Sequence, residues 1–205
     1  MTISSLNQRG PTTLAYAVSI LAFGTLAWLS IPARADGAAA TLPFSIYAES
    51  AGPQPFIPSG YMGNVGAIKL TPDCTSNPHQ GQTCLEVQYT APDGWGGVVW
   101  QAPANDWGDL PGGFNLTGAK KLTFWARGNK GGEEVNFLYG LIGPDKKYPD
   151  SSKGETGKID LTTDWKEYSI DLTGKNLTQV KSGFAWVLGA QGVPVTFFLD
   201  DIQYE

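Results

Sequence analysis

Histidine and cysteine are scarce in this sequence, which contains one His and two Cys among its 205 residues. With His79 as the only imidazole, a histidine-rich metal site is excluded and a Ser/His/Asp catalytic triad is disfavoured. Positive charge is also sparse: the net charge is −5, and basic residues form only pairs such as Lys120-Lys121. Strong electrostatic binding of phosphate groups is therefore not expected, which argues against nucleic acid and anionic membranes as partners.

Helical periodicity of useful length occurs only near the N-terminus. Arg9 precedes an almost wholly apolar stretch over residues 14–31, and Ala33-Arg34-Ala35 has the small-x-small pattern of a cleavage site. These features predict an export signal peptide over residues 1–35, so that the mature protein is secreted, either outside the cell or into the periplasm. A retained anchor is the alternative, because the stretch approaches the roughly 17–25 residues that a membrane-spanning helix needs.

The mature chain suits a single domain, since removing 35 residues from 205 leaves 170. A chain of this length can bury a core without metal or disulfide scaffolding. Gly37-Ala38-Ala39-Ala40 predicts a short tether over residues 36–43, and the domain is expected over residues 44–205. We expect this domain to be a monomer.

Cys74 and Cys84 flank a short polar segment that contains His79. In an exported chain, two such neighbours most simply form a disulfide, which would stabilise the fold by roughly 2.5–3 kcal/mol. A metal-binding or catalytic thiol pair is the alternative, but it would need further His or acidic residues at ligand spacing. The sequence therefore favours a disulfide between these two cysteines.

Short segments rich in β-branched and aromatic residues are separated by Gly and Pro throughout the chain, with 26 Gly and 14 Pro in all. This pattern is typical of an all-β protein. The candidate strands are residues 44–49, 67–70, 84–90, 97–101, 121–127, 134–141, 157–160, 166–171, 183–188 and 195–204. Ten short strands at this spacing predict a two-sheet antiparallel β-sandwich.

Alternation within residues 122–127 predicts which side chains face the core. Leu122, Phe124 and Ala126 share one face of the strand, and Trp125 and Arg127 share the other with Thr123. The second face carries an aromatic ring and a cation, so it differs from an ordinary solvent-exposed face. Trp125 and Arg127 are therefore candidate ligand-binding residues.

Three segments carry a resemblance to a known family. The segment 196–204 (TFFLDDIQY) resembles the closing strand of galactose-binding-like jelly-roll carbohydrate-binding modules. The segments 165–172 (WKEYSIDL) and 121–128 (KLTFWARG) are also similar to passages of these modules. The three segments occur in the same order as in the family, and the resemblance spans about residues 44–205. It implies a jelly-roll β-sandwich.

The resemblance also implies a structural Ca²⁺ where the first and last strands meet. Ca²⁺ takes several oxygen ligands, and Glu49 and Asp200 are the best candidates, with Asn64 and Asp201 as weaker ones. The alternative is that Asp200 and Asp201 are charges that protect an edge strand from pairing with other chains.

Aromatic residues next to glycine and polar residues predict a ligand-binding surface. Sugars stack their C–H faces on flat rings, and their hydroxyl groups bond to planar polar side chains. Trp95 lies among glycines in residues 93–97, and Trp107 lies in a polar segment, so both are expected to be exposed, whereas Trp165 and Trp186 are expected in the core. The candidate ligand-binding residues are Trp95, Trp100, Trp107, Trp125, Arg127, Gln101 and Tyr61, with Tyr148 as a further loop aromatic.

The residues favour binding over catalysis. Glycoside hydrolysis needs two carboxylates at a defined separation, but Glu133-Glu134 and Asp200-Asp201 are adjacent pairs that should point to opposite faces of a strand. We therefore expect a non-catalytic, secreted domain that binds a polysaccharide or cell-envelope glycan by aromatic stacking. A structural or adhesive surface protein that contacts a protein partner is the alternative, and a glycoside hydrolase or polysaccharide lyase comes third.

Overall fold

The computed structural model describes residues 37–205. The signal peptide predicted over residues 1–35 lies outside the described residues. Within them the chain forms eleven strands and one 3-10 turn at Val65–Ala67. The strands are β1 Phe44–Tyr47, β2 Ile57–Gly63, β3 Ile68–Cys74, β4 Cys84–Tyr89, β5 Trp95–Gln101, β6 Lys121–Gly128, β7 Glu134–Tyr139, β8 Gly154–Asp160, β9 Lys166–Asp171, β10 Ser182–Gly189 and β11 Val195–Tyr204.

The strands form two antiparallel sheets. The first has the order β3-β4-β11-β6-β9, and β1 also pairs with β11. The second has the order β2-β5-β10-β7-β8. The predicted all-β, two-sheet sandwich is therefore confirmed. No helix in residues 37–205 is long and apolar enough to cross a membrane.

Aromatic rings dominate the core between the two sheets. Phe124 of the first sheet lies 4.5 Å from Phe137 and 5.3 Å from Phe184 of the second sheet, measured between ring centroids. Trp186 is fully buried beside Phe197, as the sequence predicted for this tryptophan. The predicted alternation in β6 is also confirmed, since Leu122, Phe124 and Ala126 are all fully buried core residues.

Ten of the eleven strands correspond to segments predicted from the sequence, and β2 was missed. Pro58 and Gly60 interrupt its apolar pattern, and the pairing of β2 with β5 shifts register between these two residues. Proline removes a hydrogen-bond donor, so it is tolerated in β2 because this strand lies at the edge of its sheet.

The predicted tether is attached to the domain. Ala39 forms a parallel bridge with Asn115, and the amide of Ala40 donates to the Asn115 carbonyl at 2.7 Å. The Asn115 side chain in turn donates to the Gly37 carbonyl at 2.6 Å. Leu42 packs against the core. The segment from residue 37 onward is therefore part of the folded unit.

Candidate functional site

The outer face of the second sheet is called the cleft face below, and its middle, at Val99 and Ala185, is fully buried. In β5, Val98 and Trp100 point into the core, so Trp95, Gly97, Val99 and Gln101 point outward. Strand register extends this surface across all five strands. One row contains Met62, Gly97, Val187, Asn136 and Lys158, and the next contains Gly60, Val99, Ala185, Leu138 and Glu155.

Trp95 lies at one end of the cleft face. Its side chain remains 48% exposed, as the surrounding glycines predicted. A Cβ atom on Gly63 would lie 3.0 Å from Trp95 Cδ2, which shows that the indole rests close to the β2 backbone. Gly63 also has a φ of +68°, a conformation that favours glycine. A flat aromatic surface is thus available to a ligand at this end.

Trp107 lies at the opposite end of the same strand pair. A Cβ atom on Gly60 would lie 3.0 Å from Trp107 Cζ2 and 2.9 Å from Gln101 Cδ, so both side chains cover this glycine. Trp107 is half-buried, whereas the sequence predicted it to be more exposed. Its ring is held against the sheet because Gly60 has no side chain to displace it.

A cleft with a volume of about 780 Å³ adjoins this end of the cleft face. It is lined by residues 138–144 and 150–155, which include Leu138 and Glu155 of the second row. The far strands add polar groups: Asn136 Nδ2 donates to Glu155 Oε2 at 2.7 Å, and Lys158 Nζ lies 2.6 Å from Glu134 Oε1. Glu155 and Lys158 are exposed, so they can exchange these bonds for bonds to ligand hydroxyl groups.

Three predicted binding residues do not lie on an accessible part of this face. Trp100 is 2% exposed and packs edge-on against Phe184 in the core, because it points inward from β5. Gln101 points outward but is fully buried, since its amide donates to the Asp106 carbonyl and its carbonyl accepts from Ser59. Tyr61 is 42% exposed, but it lies opposite Val98 and therefore leaves the edge strand on the core side.

The part of the first sheet's outer face around Trp125 and Arg127 is covered by the chain itself. Residues 75–83, called the covering loop below, connect β3 to β4 and lie over Trp125 and Arg127. His79 stacks on Trp125 with ring centroids 3.7 Å apart, and Arg127 donates to the Ser76 carbonyl at 2.8 Å. The guanidinium of Arg127 also lies 3.7 Å from the ring centroid of Phe198. In this structure Trp125 and Arg127 therefore contact the covering loop in place of the ligand that the sequence predicted.

Trp165, predicted to lie in the core, instead packs at the side of the covering loop. It is half-buried, and its indole nitrogen donates to the Asn77 carbonyl at 2.9 Å. Its ring borders a small cluster formed by Cys74, Cys84 and Phe198. Trp165 therefore helps to anchor the covering loop.

Asp200 and Asp201 both bind the covering loop. The His79 amide donates to Asp200 Oδ2 at 3.0 Å, and His79 Nδ1 lies 2.7 Å from Asp201 Oδ2. Adjacent strand residues normally point to opposite faces, but the register of β11 shifts here and Asp201 has a φ of +47°. The prediction that the two carboxylates diverge is therefore wrong. The edge-strand alternative is also wrong, because β11 is paired on both sides.

Burial, together with the negative charge of Asp201, raises the pKa of Asp200 to about 6. Asp200 is fully buried, and its oxygens accept backbone hydrogen bonds from Gln80 and Asp201 as well as from His79. Those bonds lower the pKa and only partly offset the burial. The charge of Asp200 is thus held beneath the covering loop.

The residues predicted to bind calcium do not form an oxygen-ligand cage. Glu49 accepts bonds from the Gln82 and Thr83 amides and from the Thr83 hydroxyl, and these bonds lower its pKa. Asn64 donates to the Tyr89 hydroxyl at the other end of β4. N–H donors facing a carboxylate occupy positions where Ca²⁺ would need oxygen. In residues 37–205 no group of three or more His, Cys, Asp or Glu side chains is suited to a metal ion.

Cys74 and Cys84 are buried free thiols in the structure, so the predicted disulfide is not formed there. They are nevertheless directly opposite each other in the β3–β4 pair, at the two ends of the covering loop. Burial raises the pKa of Cys84 to about 12, and the neighbouring Cys74 contributes to the rise.

Several residues of the cleft face were not singled out from the sequence. Asn136, Glu155 and Lys158 come together only through the pairing of β7 with β8. Alternation within β7 places Asn136 on the side of the strand away from Val135 and Phe137, but it does not indicate which outer face the chain leaves uncovered. The buried Lys181, which bonds to Asp106, also carried no sequence signal.

No protein-family model matches the sequence, and no curated protein matches it. The fold does match solved structures. A family 30 carbohydrate-binding module superposes with a TM-score of 0.57 and 18% identity, covering 80% of this chain and 99% of the module. A family 11 module of a cellulosomal cellulase of Clostridium thermocellum gives 0.53 and 16% identity over 81% of this chain and 95% of the module.

Another structure of a family 11 module of Clostridium thermocellum, in complex with a β-1,3-1,4-mixed-linked tetrasaccharide, gives a TM-score of 0.52 and 14% identity. It covers 80% of this chain and 96% of the module. Sequence identities of 14–18% show a shared fold and nothing more. Together with the two antiparallel sheets, these similarities show that the chain has the jelly-roll β-sandwich fold of carbohydrate-binding modules.

Proposed function

We propose that the protein is a non-catalytic carbohydrate-binding domain, and that its cleft face binds a polysaccharide. The observation that carries this proposal is the exposure of Trp95. The same face also presents Trp107 and the polar side chains of β7 and β8. Burying a large aromatic side chain stabilises a protein by roughly 1.5–3 kcal/mol, so an indole left in water is better accounted for by a ligand than by folding.

The chemistry of the cleft face suits a sugar chain. Trp95 and Trp107 offer flat apolar rings for the C–H faces of the sugars. Asn136, Glu155 and Lys158 offer an amide, a carboxylate and an ammonium group for the hydroxyl groups. Gly97 and Val99, between the two tryptophans, are buried, so the proposed sugar contacts are with the two rings and with the polar groups of β7 and β8.

The fold supports the same conclusion. The structural relatives described above are carbohydrate-binding modules, and one of them is described in complex with a β-1,3-1,4-mixed-linked tetrasaccharide. Because a fold can host unrelated activities, the argument for binding rests on the side chains of the cleft face, and the relatives add to it.

Retention of the mature protein on insoluble polysaccharides and in affinity gels containing soluble polysaccharides tests this proposal. We expect retention on at least one glycan, and loss of retention for Trp95→Ala. Trp125→Phe is the matched control, because Trp125 is covered by His79 and its replacement should leave retention unchanged. Absence of retention across a broad panel would contradict glycan binding and favour a surface protein that contacts a protein partner.

We further propose that the protein is exported and that residues 1–35 are removed. A polysaccharide-binding domain meets its ligand in the cell envelope or outside the cell, which agrees with the signal-like N-terminus. Expression of the full chain in a bacterial host and mass spectrometry of the exported protein test this proposal. We expect a mature N-terminus at Asp36, whereas a protein that keeps residues 14–31 and stays with the membrane would favour the anchor.

A further inference from the structure

Lys181 is a fully buried cation at the start of β10, near the Trp107 end of the cleft face. Its ammonium group bonds to the carboxylate of Asp106, which is also buried, and donates to the Leu110 carbonyl at 2.5 Å. The other oxygen of Asp106 accepts from the Asp109 and Leu110 amides at 2.9 and 3.0 Å. Lys181 thus ties the loop that carries Trp107 to the strand beneath it.

The backbone of Lys181 holds a second loop. Its amide donates to Asp150 Oδ1 at 2.6 Å, and the Ser182 amide donates to the same atom at 3.1 Å. Asp150 Oδ2 accepts from the Ile142 amide at 2.9 Å. Asp150 belongs to the wall of the cleft, so Lys181, the residue before β10, anchors both this wall and the Trp107 loop.

The two loops also contact each other beside Lys181. The Tyr148 amide donates to the Gly108 carbonyl at 2.9 Å, and the Tyr148 ring centroid lies 5.6 Å from Lys181 Nζ. Gln101 Nε2 donates to the Asp106 carbonyl at 2.9 Å, next to Trp107. The bonds to the Asp106 and Gly108 carbonyls therefore hold the residues on both sides of Trp107.

The electrostatics make this arrangement sensitive to the loss of the lysine. A buried ammonium group is tolerated only when it is paired and hydrogen-bonded, and here a carboxylate, a carbonyl and an aromatic ring surround it. Burial opposes the ionisation of Asp106, but the bonds from Lys181 and from the Leu110 and Asp109 amides outweigh it and lower its pKa. Removing the ammonium leaves Asp106 buried without its cation, which destabilises the loop that carries Trp107.

We propose that Lys181 is a positioning residue for glycan binding: by joining the two loops, it fixes the ring of Trp107 on Gly60 in the orientation that a sugar meets. This inference rests on the proposed function of the cleft face. The inference gives Lys181 a role in glycan affinity although its side chain is fully buried.

Two measurements on Lys181→Met test the inference. The first is the indole N–H signal of Trp107 in NMR spectra, assigned with Trp107→Phe, and the second is glycan affinity. We expect the Trp107 signal to shift or broaden while that of the core residue Trp186 stays in place. We also expect affinity to fall about tenfold, the loss given by removing one stacking contact. Lys69→Met, an exposed lysine of the first sheet, is the control and should change neither quantity.

A double variant separates positioning from a general loss of stability. If Lys181 acts through Trp107, then Trp107→Ala should abolish the effect of Lys181→Met, so that the double variant binds no more weakly than Trp107→Ala alone. Additive losses, or an unmoved Trp107 signal with full affinity, would overturn the inference. If Lys181→Met fails to fold, Asp106→Asn replaces it, with a smaller effect in the same direction expected.

The failure of this inference can be distinguished from that of the proposed function. If the parent protein binds no glycan, the function of the cleft face is contradicted. The Trp107 signal then decides separately whether Lys181 fixes the ring.

Discussion

His79 lies flat on Trp125, with ring centroids 3.7 Å apart and ring planes inclined by 14°. The same imidazole reaches Asp201 through Nδ1, and its backbone amide reaches Asp200. His79, the only histidine of the sequence, thus covers the ring of Trp125 on the outer face of the first sheet. Among the described residues 37–205, Trp95 on the cleft face is the one exposed tryptophan, and this asymmetry supports the cleft face as the proposed binding surface.

Replacement of Trp95 by alanine should weaken binding without weakening the fold. Trp95 is 48% exposed, so its removal costs little packing, whereas one lost stacking contact should cost about 1 kcal/mol of glycan affinity. Affinity electrophoresis and thermal melting measure the two effects separately. Trp100→Ala should instead lower the unfolding free energy by about 3–5 kcal/mol, because Trp100 is a core residue. A large drop in the melting temperature of Trp95→Ala would contradict its assignment to a binding surface.

Asp201→Asn should lower the pKa of Asp200 below its present value of about 6, because the charge of Asp201 contributes to that value. Titration of the Asp200 carboxyl carbon by NMR measures the change. Asp171→Asn, on an exposed part of β9, is the control and should leave the titration unchanged. The native pKa of Asp200 exceeds its ordinary value of 3.8, so its contribution to unfolding free energy should rise as the pH falls from about 6 toward 3.8. A titration unmoved by Asp201→Asn would contradict this coupling.

Oxidation should join Cys74 to Cys84. Their positions as opposite residues in adjacent strands allow the two thiols to lose two hydrogen atoms to a small-molecule disulfide, which is reduced to two thiols. The reaction should be slow at neutral pH, because the pKa of Cys84 is raised to about 12 and little thiolate is present.

Mass spectrometry detects the bond between Cys74 and Cys84, and denaturant unfolding measures its effect. Closing the ring should add about 2.5–3 kcal/mol of unfolding free energy. The Cys74→Ser/Cys84→Ser variant should not respond to the oxidant. An unfolding curve identical in both redox states would show that the covering loop needs no such closure.

Calcium should have little effect on the melting temperature, since Glu49 and Asp200 are already satisfied by N–H and O–H donors of the covering loop. Thermal melting in excess CaCl₂ and in EDTA tests this expectation. A higher melting temperature in calcium that disappears in Glu49→Ala would instead establish the calcium site that the sequence resemblance implied.

Much of the fold could be predicted from the sequence because strand alternation is a local signal. Val98 and Trp100 alternate with Gly97 and Val99 on one strand, and such patterns identify the core side of most strands. The missed strand, β2, contains Pro58, whose acceptability depends on lying at a sheet edge. Whether a strand lies at a sheet edge depends on how all the strands of the sheet pair, so the local sequence of β2 does not show it.

The site was harder to predict, because it depends on which face the chain covers. Trp95 and Trp125 both point outward from their strands, and only the path of the covering loop makes one accessible and the other not. The shift at Asp201 likewise turns two adjacent carboxylates toward one loop. Neither feature has a periodic signature, so alternation alone assigns these side chains incorrectly.

The central position of β11 in the first sheet has a consequence for the order of folding. β3-β4 and β6-β9 lie on either side of it, and they cannot be joined until Val195–Tyr204 is available. The first sheet must therefore wait for the strand that is last in sequence, and contacts of such long sequence separation form slowly. Late closure of this sheet would serve the export proposed above, because a chain that has not yet folded can pass through a narrow channel.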